Sequence, residues 1–138
     1  MTDTDNAITA SLVADAVRAD FVDGLFGIDF PMRLEPTVFA MAELLAPNYR
    51  GGYWQFYALS NGGFYMAPEA APFDVVCENG YEGTLSAEAL GITACMYAYS
   101  QISFNDDRFA AVCAEHYHRL RDFAIGHAEV GAILAACD

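Results

Sequence analysis

The sequence predicts a small single domain of the α+β class, in which an antiparallel sheet of about three to four strands packs with about four to five helices. Three observations predict this class. Residues 53–68 carry a hairpin signal, residues 52–85 are rich in aromatic and β-branched types, and helical periodicity occurs before and after them. Because the strands follow one another through short turns, hairpin and meander connections are expected, and these make antiparallel sheets.

The chain is long enough for one hydrophobic core. It has 138 residues, of which 55% are apolar, and these values are typical of one globular domain. We expect residues 1–10 to be a flexible N-terminus and residues 11–138 to be the domain. The N-terminus has no basic region followed by an apolar run, so a cytoplasmic location is expected. The longest uncharged stretch, Ala89–Asn105, falls short of the roughly 20 apolar residues of a membrane span, so no membrane contact is expected.

Apolar residues recur at helical spacing in several segments. Pro36 suits the first turn of a helix, where no amide donor is needed. The segment after Ser86 is apolar on nearly all sides, so its helix is expected at the centre of the fold. The predicted helices are Ser11–Asp20, a helix from Glu35 that Pro47 stops, a helix capped by Ser86 that runs to about Ser103, Asp107–Ile125, and a turn or helix over Ala128–Ala136.

The hairpin turn is predicted at Asn61-Gly62-Gly63, because these residues adopt the positive φ angles that a tight reversal needs. Alternation along the first strand places Gln55 and Tyr57 with Tyr53 on one face. Trp54, Phe56 and Ala58 then face the other way. The predicted strands are Gly52–Leu59, Gly63–Ala67, Phe73–Glu78 and Gly83–Leu85.

The charge of the chain is strongly negative. It has six arginines, no lysine and nineteen carboxylates, for a formal net charge of −13. Direct DNA binding is not expected, because it needs clustered cations that displace the counterions of phosphate. The acids fit two interpretations, general solubility or a face that competes for a partner's DNA-binding groove. The second interpretation needs a row of acids on one surface, whereas the acids of this chain are spread along the sequence.

No sequence pattern predicts a catalytic site, a metal site or a cofactor. His116 and His118 are two residues apart on a predicted helix, so they point in roughly opposite directions. The four cysteines have no Cys-x-x-Cys spacing and are expected to be free thiols. A small hydrolase, with a cysteine close to His116 or His127, is the less favoured alternative. It stays open because a triad assembled in space leaves no local signature in the sequence.

The hairpin aromatics fit two roles, core packing on one face and protein contact on the other. Tyrosine and tryptophan give large rigid contact areas at low entropic cost. Asp138 adds a side-chain carboxylate to the terminal carboxylate, and this compact acidic point suits an arginine of a partner or of this chain. A chain end without any role is the alternative for Asp138.

Four ordered segments carry a family resemblance. They are 11–27 with its Leu-Phe-Gly run, Tyr49–Pro68, Leu85–Ile92 and Tyr117–Glu129. Together, over nearly the whole chain from Leu12 to Asp138, they resemble the ArdB/KlcA family of antirestriction proteins. The chain departs from the family pattern at Asp23 and Ala128, where proline is common, and these departures concern loop stiffness.

The resemblance implies an α+β protein of plasmids, phages or genomic islands that protects incoming DNA from host type I restriction endonucleases. It implies no enzyme activity and no cofactor. The implied partner is the host type I restriction enzyme or an associated host factor, reached by protein contacts, and we expect a monomer or weak dimer. An acidic DNA mimic that occupies a DNA-binding groove is the alternative.

The hairpin surface and the C-terminal segment are therefore the candidate contact regions. The candidate partner-contact residues are Tyr53, Gln55, Tyr57, Asn61, Phe64, Tyr65, Arg119, His127, Glu129 and Asp138.

Overall fold

The structure, a computed structural model, describes residues 7–69 and 72–137. Within these ranges the chain forms five strands, five α-helices and one π-helical turn, Phe30–Leu34. The strands are β1 (Ala10–Leu12), β2 (Trp54–Leu59), β3 (Phe64–Pro68), β4 (Phe73–Val76) and β5 (Glu82–Leu85). The helices are α1 (Arg18–Phe26), α2 (Glu35–Leu45), α3 (Ala87–Ser103), α4 (Arg108–Ile125) and α5 (Val130–Cys137).

All strand pairs in the described residues are antiparallel, and they form two sheets. The larger sheet has the order β1-β2-β3, with Ala10 opposite Leu59 and Trp54 opposite Pro68. The smaller sheet pairs β4 with β5. The predicted α+β class with antiparallel strands is therefore confirmed, and its strands divide between two sheets.

The helix predicted at Ser11–Asp20 is wrong. Ala10–Leu12 instead forms the edge strand β1, and the amide of Val13 donates to the carbonyl of Phe56 at 2.8 Å. The first helix begins only at Arg18. The free edge of β2 offers a row of backbone partners, and pairing with it outweighs the weak helical spacing of small residues in this segment. The predicted flexible N-terminus lies outside the described residues up to position 6, and Thr9 pairs with Ser60.

The later helices occur where the sequence predicts them. Ser86 caps α3, since its hydroxyl accepts from the amide of Ala89 at 3.1 Å. Asp107 caps α4 in the same way, accepting from the amide of Ala110 at 2.9 Å. Both side chains satisfy amides that would otherwise lack a partner in the first helical turn. Pro36 stands in the first turn of α2, which follows the π-helical turn directly.

Helix α3 is the central element, as its all-round apolar pattern predicts. It packs against α2, α4, α5 and β3. Gly91, Cys95 and Tyr99 follow one another at intervals of four residues and face the backbone of β3. A Cβ on Gly91 would stand 2.4 Å from the carbonyl oxygen of Met66, so glycine is what allows this close approach. The Tyr99 hydroxyl donates to the carbonyl of Phe64 at 2.8 Å, and the Met66 amide donates to the Cys95 sulfur at 3.4 Å.

Candidate functional site

Strand β2 presents polar side chains on one face and core residues on the other. Trp54 and Phe56 are buried, whereas Gln55 and Tyr57 are half-buried, as the predicted alternation requires. The ring of Tyr57 stacks on that of Tyr65 in β3, with centroids 4.8 Å apart and an angle of 11°. Tyr57 therefore covers Tyr65 and forms the outer layer of this sheet face.

The first turn of α3 and the end of α4 complete this surface. The Tyr65 hydroxyl donates to Glu88 Oε2 at 2.8 Å, and His127 Nε2 lies 3.4 Å from the same oxygen. The ring of Tyr65 also stacks on Phe123, at 5.7 Å between centroids. We call the accessible part of this assembly the tyrosine face, defined as Gln55, Tyr57, Glu69, Glu88 and His127.

Hydrogen bonds orient His127 on the tyrosine face and Tyr65 beneath it. The amide of Glu129 donates to His127 Nδ1 at 2.9 Å, so Nδ1 is an acceptor and the ring proton of the neutral imidazole sits on Nε2, facing Glu88. Burial raises the pKa of the Tyr65 hydroxyl, and the bond to Glu88 raises it further. Tyr65 therefore stays protonated and acts as a donor at neutral pH.

Gln55 connects the remaining polar groups of the tyrosine face. Its amide nitrogen donates to Glu69 Oε2 at 2.8 Å, and its amide oxygen accepts from the Tyr57 hydroxyl at 3.0 Å. A shallow cavity of about 380 Å³ lies between these side chains and Glu88. The surface thus combines two carboxylates, an amide and an aromatic ring edge, a mixture suited to contact with a polar protein surface.

Glu129 fixes the connection beneath this surface. Its carboxylate accepts from the amide of Ser86 at 3.1 Å and from the Ser86 hydroxyl at 2.5 Å. Because Ser86 caps α3, Glu129 ties the segment before α5 to the start of the central helix. Its carboxylate is engaged within the fold, and its backbone amide donates to His127 Nδ1.

Asn61 and Arg119 meet at the hairpin tip, away from the tyrosine face. Asn61 Oδ1 accepts from the amide of Gly63 at 3.0 Å, and Asn61 Nδ2 donates to the carbonyl of Arg119 at 3.0 Å. Arg119 returns a bond to the carbonyl of Gly62 at 3.2 Å. Gly62 has a φ of 89°, as the turn prediction requires. These contacts attach the hairpin tip to α4.

Two of the predicted contact residues, Phe64 and Tyr65, are buried in this structure. Phe64 is 1% exposed and Tyr65 is 0% exposed. The alternation of one solvated and one buried face does not apply to β3, because other elements cover both of its faces. On one face Phe64 packs on the ring of Phe56, at 5.4 Å between centroids. On the other face Tyr65 lies between Tyr57 and Phe123. Both side chains therefore belong to the core.

The other two candidates lie apart from the tyrosine face or outside the described residues. Tyr53 is 48% exposed and belongs to a different cluster. Its hydroxyl donates to Asp15 Oδ1 at 2.6 Å and accepts from Arg18 Nη1 at 2.6 Å. Asp138 falls outside the described residues.

Glu69, Glu88 and Phe123 were missed as site residues by the sequence analysis. Glu88 stands in the first turn of α3, where an acid also complements the helix dipole and so needs no role in a site. Its hydrogen-bond partner Tyr65 is 23 positions away in the chain. No local sequence signal connects residues at that separation, so only the packing of α3 against β3 could reveal this site.

The buried thiols of Cys95 and Cys113 and the buried imidazole of His116 are poorly suited to nucleophilic catalysis. Burial raises the pKa of the Cys95 and Cys113 thiols to about 12, so both are protonated at neutral pH. Burial, together with Arg119, lowers the pKa of His116 to about 4. Its Nδ1 has no hydrogen-bond partner among the described residues. In the same part of the chain no three His, Cys, Asp or Glu side chains are grouped as a metal site would require.

Carboxylates occur on the helices α1 to α4, on β4 and β5 and in connecting segments, and several pair with arginine. Arg33 lies 2.9 Å from Asp107 and 3.7 Å from Asp29. Arg119 lies 3.2 Å from Glu115. No helix among the described residues is long and apolar enough to cross a membrane.

Comparison with known proteins gives consistent matches. A family model described as antirestriction protein matches residues 47–138. The antirestriction protein KlcA of Escherichia coli is 43% identical, over 100% of both chains. The uncharacterized protein YafX of Escherichia coli strain K12 is 40% identical, over 95% of this chain and 88% of that protein. The putative antirestriction protein YubI of the same strain is 34% identical, over 91% and 93%.

A solved structure gives a close match to the fold. It is 45% identical in sequence and superposes with a TM-score of 0.88, over 95% of each chain. It represents the KlcA and ArdB proteins, which are described as having a novel fold and antirestriction activity against type I DNA restriction systems in vivo but not in vitro.

Proposed function

Because this chain belongs to the antirestriction protein family, we propose that it protects incoming mobile-element DNA from type I restriction endonucleases of the host cell, and that it does so in the cytoplasm by protein contacts. The observation that carries this proposal is the full-length likeness to the KlcA and ArdB proteins, whose activity is of this kind. The chain needs no cofactor for a role of this type.

The arrangement of reactive groups favours contact over catalysis. An activated cysteine needs a lowered thiol pKa and a base within reach, whereas burial raises the pKa of Cys95 and Cys113. The spread of carboxylates also favours protein contact over DNA mimicry, because a mimic needs a continuous acidic ridge. Pairing with arginine neutralises some of these acids locally.

The tyrosine face is the contact surface that we propose. Gln55, Tyr57, His127 and two carboxylates lie on it, and each is held by hydrogen bonds or stacking within the fold. Side chains held in this way lose little entropy when a partner binds. Tyrosine is also among the residues that contribute most to binding energy at protein interfaces.

The partner is the type I enzyme or a host factor that acts with it. The KlcA and ArdB proteins are described as active in vivo but not in vitro. This contrast favours a route through a component that purified enzyme lacks. We propose the same route for this chain, acting as a monomer or weak dimer.

Phage plating tests the function directly. Unmodified phage is plated on cells with an active type I system, with and without expression of the chain. Protection raises plating efficiency on the restricting host and leaves it unchanged on a non-restricting host. Equal restriction with and without the protein would overturn the proposed function.

A pair of charge reversals tests the tyrosine face. Glu69→Lys reverses an exposed charge on that face, and Glu43→Lys makes the same change at an exposed position of α2. We expect Glu69→Lys to lower protection about tenfold, as expected for a loss of about 1.4 kcal/mol of binding. Glu43→Lys should protect like the wild type. Equal protection by both variants would exclude this face as the contact surface.

Cleavage assays then distinguish direct inhibition of the type I enzyme from inhibition through a host factor. Purified type I enzyme is incubated with unmodified DNA, the wild-type chain and, in a second series, extract from non-restricting cells. Inhibition only in the presence of extract supports the host-factor route. Inhibition without extract would show instead that the enzyme itself is the partner.

A further inference from the structure

A second cavity lies between α1, the π-helical turn and α2, distant in sequence from the tyrosine face. Its volume is about 310 Å³, which is the size of one large side chain and the space around it. Val22, Phe30 and Phe56 are buried and form its apolar wall. Ile28 lines it as well and is 70% exposed, so the cavity opens beside an apolar surface residue.

Three charged side chains line the same cavity: Arg18, Asp23 and Glu35. The guanidinium of Arg18 is already engaged. It stacks on the ring of Phe56, with Cζ 3.6 Å from the centroid, and its Nη1 donates to the carbonyl of Trp54 at 2.9 Å. Asp15 lies 3.7 Å from the same nitrogen. The positive charge of Arg18 is therefore largely offset by its own neighbours.

The two carboxylates of the cavity lack such partners. Among the described residues, no hydrogen bond or ion pair joins the side chain of Asp23 or Glu35. Burial raises the pKa of Glu35, and the opposing effect of Arg18 is smaller. The Glu35 carboxylate is thus partly removed from water, and Arg18 offsets only part of the effect of the lost hydration. Arg18, Asp23 and Glu35 together give the cavity lining a net charge of −1 beside its apolar wall.

We propose that this cavity binds a lysine side chain of the partner protein. The four-carbon stem of lysine fits the apolar wall. Its compact ammonium group supplies a positive charge that can pair with the carboxylates of Glu35 and Asp23. The chain itself contains no lysine, so neither this chain nor a second copy supplies the occupant. This inference rests on the proposed function, because it assumes that the chain acts through a protein partner.

Nuclear magnetic resonance titration with capped amino acids tests the chemistry of the cavity. The probes are N-acetyl-lysine methylamide, the norleucine analogue, which keeps an apolar stem and lacks the ammonium group, and the arginine analogue. We expect saturable shifts at Val22, Phe30 and Phe56 with the lysine probe, about fivefold tighter than with norleucine. Equal binding of lysine and norleucine, tighter binding of arginine, or no saturable binding would each overturn the proposal.

Three variants connect the cavity to this preference. Glu35→Gln should remove most of the preference for lysine over norleucine and leave norleucine binding unchanged. Ala19→Tyr places a bulky ring at an exposed position of α1 that lines the cavity, so it should weaken both probes. Ala40→Tyr makes the same change at an exposed position of α2 outside the cavity lining and should bind like the wild type. Unchanged binding by Ala19→Tyr would contradict this location.

Phage plating then separates failure of this inference from failure of the proposed function. We expect Ala19→Tyr and Glu35→Gln to lower protection, and Ala40→Tyr to protect fully. Full protection by Ala19→Tyr would overturn the partner role of the cavity and leave the proposed function intact. If the wild type does not protect, the proposed function fails, and the titration alone decides whether the cavity prefers lysine.

Discussion

His116 shows how strongly position determines the chemistry of one residue. Its side chain is 3% exposed and lies 4.7 Å from the ring of Phe26 and 5.7 Å from that of Tyr99, between centroids. Burial among these rings, and the charge of Arg119, lower its pKa to about 4 from 6.5. The imidazole is therefore neutral at physiological pH and fills space in the core.

The depressed pKa predicts a loss of stability in acid. The unfolded chain takes up the proton near pH 6.5, whereas the folded chain resists it until about pH 4. The contribution of neutral His116 to the unfolding free energy is thus complete above pH 6.5 and is lost as the pH falls toward 4. We expect this residue to account for about 2 kcal/mol of lost unfolding free energy between pH 7.5 and pH 5.

Urea unfolding of His116→Leu at the two pH values checks this prediction. The variant should lose less stability than the wild type over this interval, because leucine takes up no proton. His118→Gln, at an exposed position of the same helix, should keep the dependence of the wild type. An identical dependence in His116→Leu and the wild type would show that protonation of His116 does not contribute.

At the scale of elements, α3 and β3 approach each other closely at Gly91. A Cβ on Gly91 would stand 2.5 Å from the Cβ of Ala67 and 2.6 Å from its Cα. The backbone of β3 is paired with β2, so it cannot move away without disturbing the hairpin. This helix position therefore requires glycine in spite of its low helix propensity.

Gly91→Ala should destabilise the protein by about 2 kcal/mol, since overpacking exceeds the gain in helix propensity. Gly131→Ala is the matched control in α5, where a Cβ meets nothing within 4 Å. That change should be neutral or stabilising by up to about 1 kcal/mol. Chemical denaturation measures both, and a Gly91→Ala variant as stable as the wild type would contradict the close packing.

The hairpin tip depends on Asn61, whose side chain accepts from the amide of Gly63 within the turn and donates to the carbonyl of Arg119 in α4. Asn61→Ala should cost about 1 kcal/mol and speed amide hydrogen exchange at Gly63, whose donor loses its acceptor. Asn105→Ala, at an exposed position after α3, is the control and should leave exchange at Gly63 unchanged. Equal protection of Gly63 in all three proteins would show that the tip is held by other contacts.

At the scale of the whole molecule, the net charge of −13 places similar charges close together on a small surface. Self-repulsion of this kind destabilises the compact state, and salt weakens it. We expect the melting temperature to rise by about 3 °C when NaCl is raised from about 0.01 M to about 0.3 M. Differential scanning calorimetry measures this change.

Removing charge should reduce the response to salt. The double variant with Glu43→Gln and Glu82→Gln carries two fewer negative charges at exposed positions. Its melting temperature should exceed that of the wild type at low salt and approach it at high salt. A melting temperature that falls as salt is added would indicate that the arginine pairs outweigh the repulsion.

Much of the fold follows from local signals. The cap Ser86, the positive φ of Gly62 in the hairpin turn and the all-round apolar pattern of α3 act over a few residues, so the sequence alone was enough to predict them. The segment around Ser11 was predicted wrongly, because its conformation is determined by pairing with β2, far away in the chain. Family membership was likewise predictable from the sequence, because the segments that resemble the family occur in the same order.

The site depended on the tertiary structure. The sequence by itself determined the α+β class, the acidic charge and the half-buried face of β2 with Gln55 and Tyr57. Only packing decided that β3 is covered on both faces, which removes Phe64 and Tyr65 from the surface. Packing also brought Glu88 to Tyr65 and His127. The physical reason is range: caps, turns and periodicity act between neighbours in the chain, whereas burial and side-chain hydrogen bonds depend on residues that meet only in the folded state.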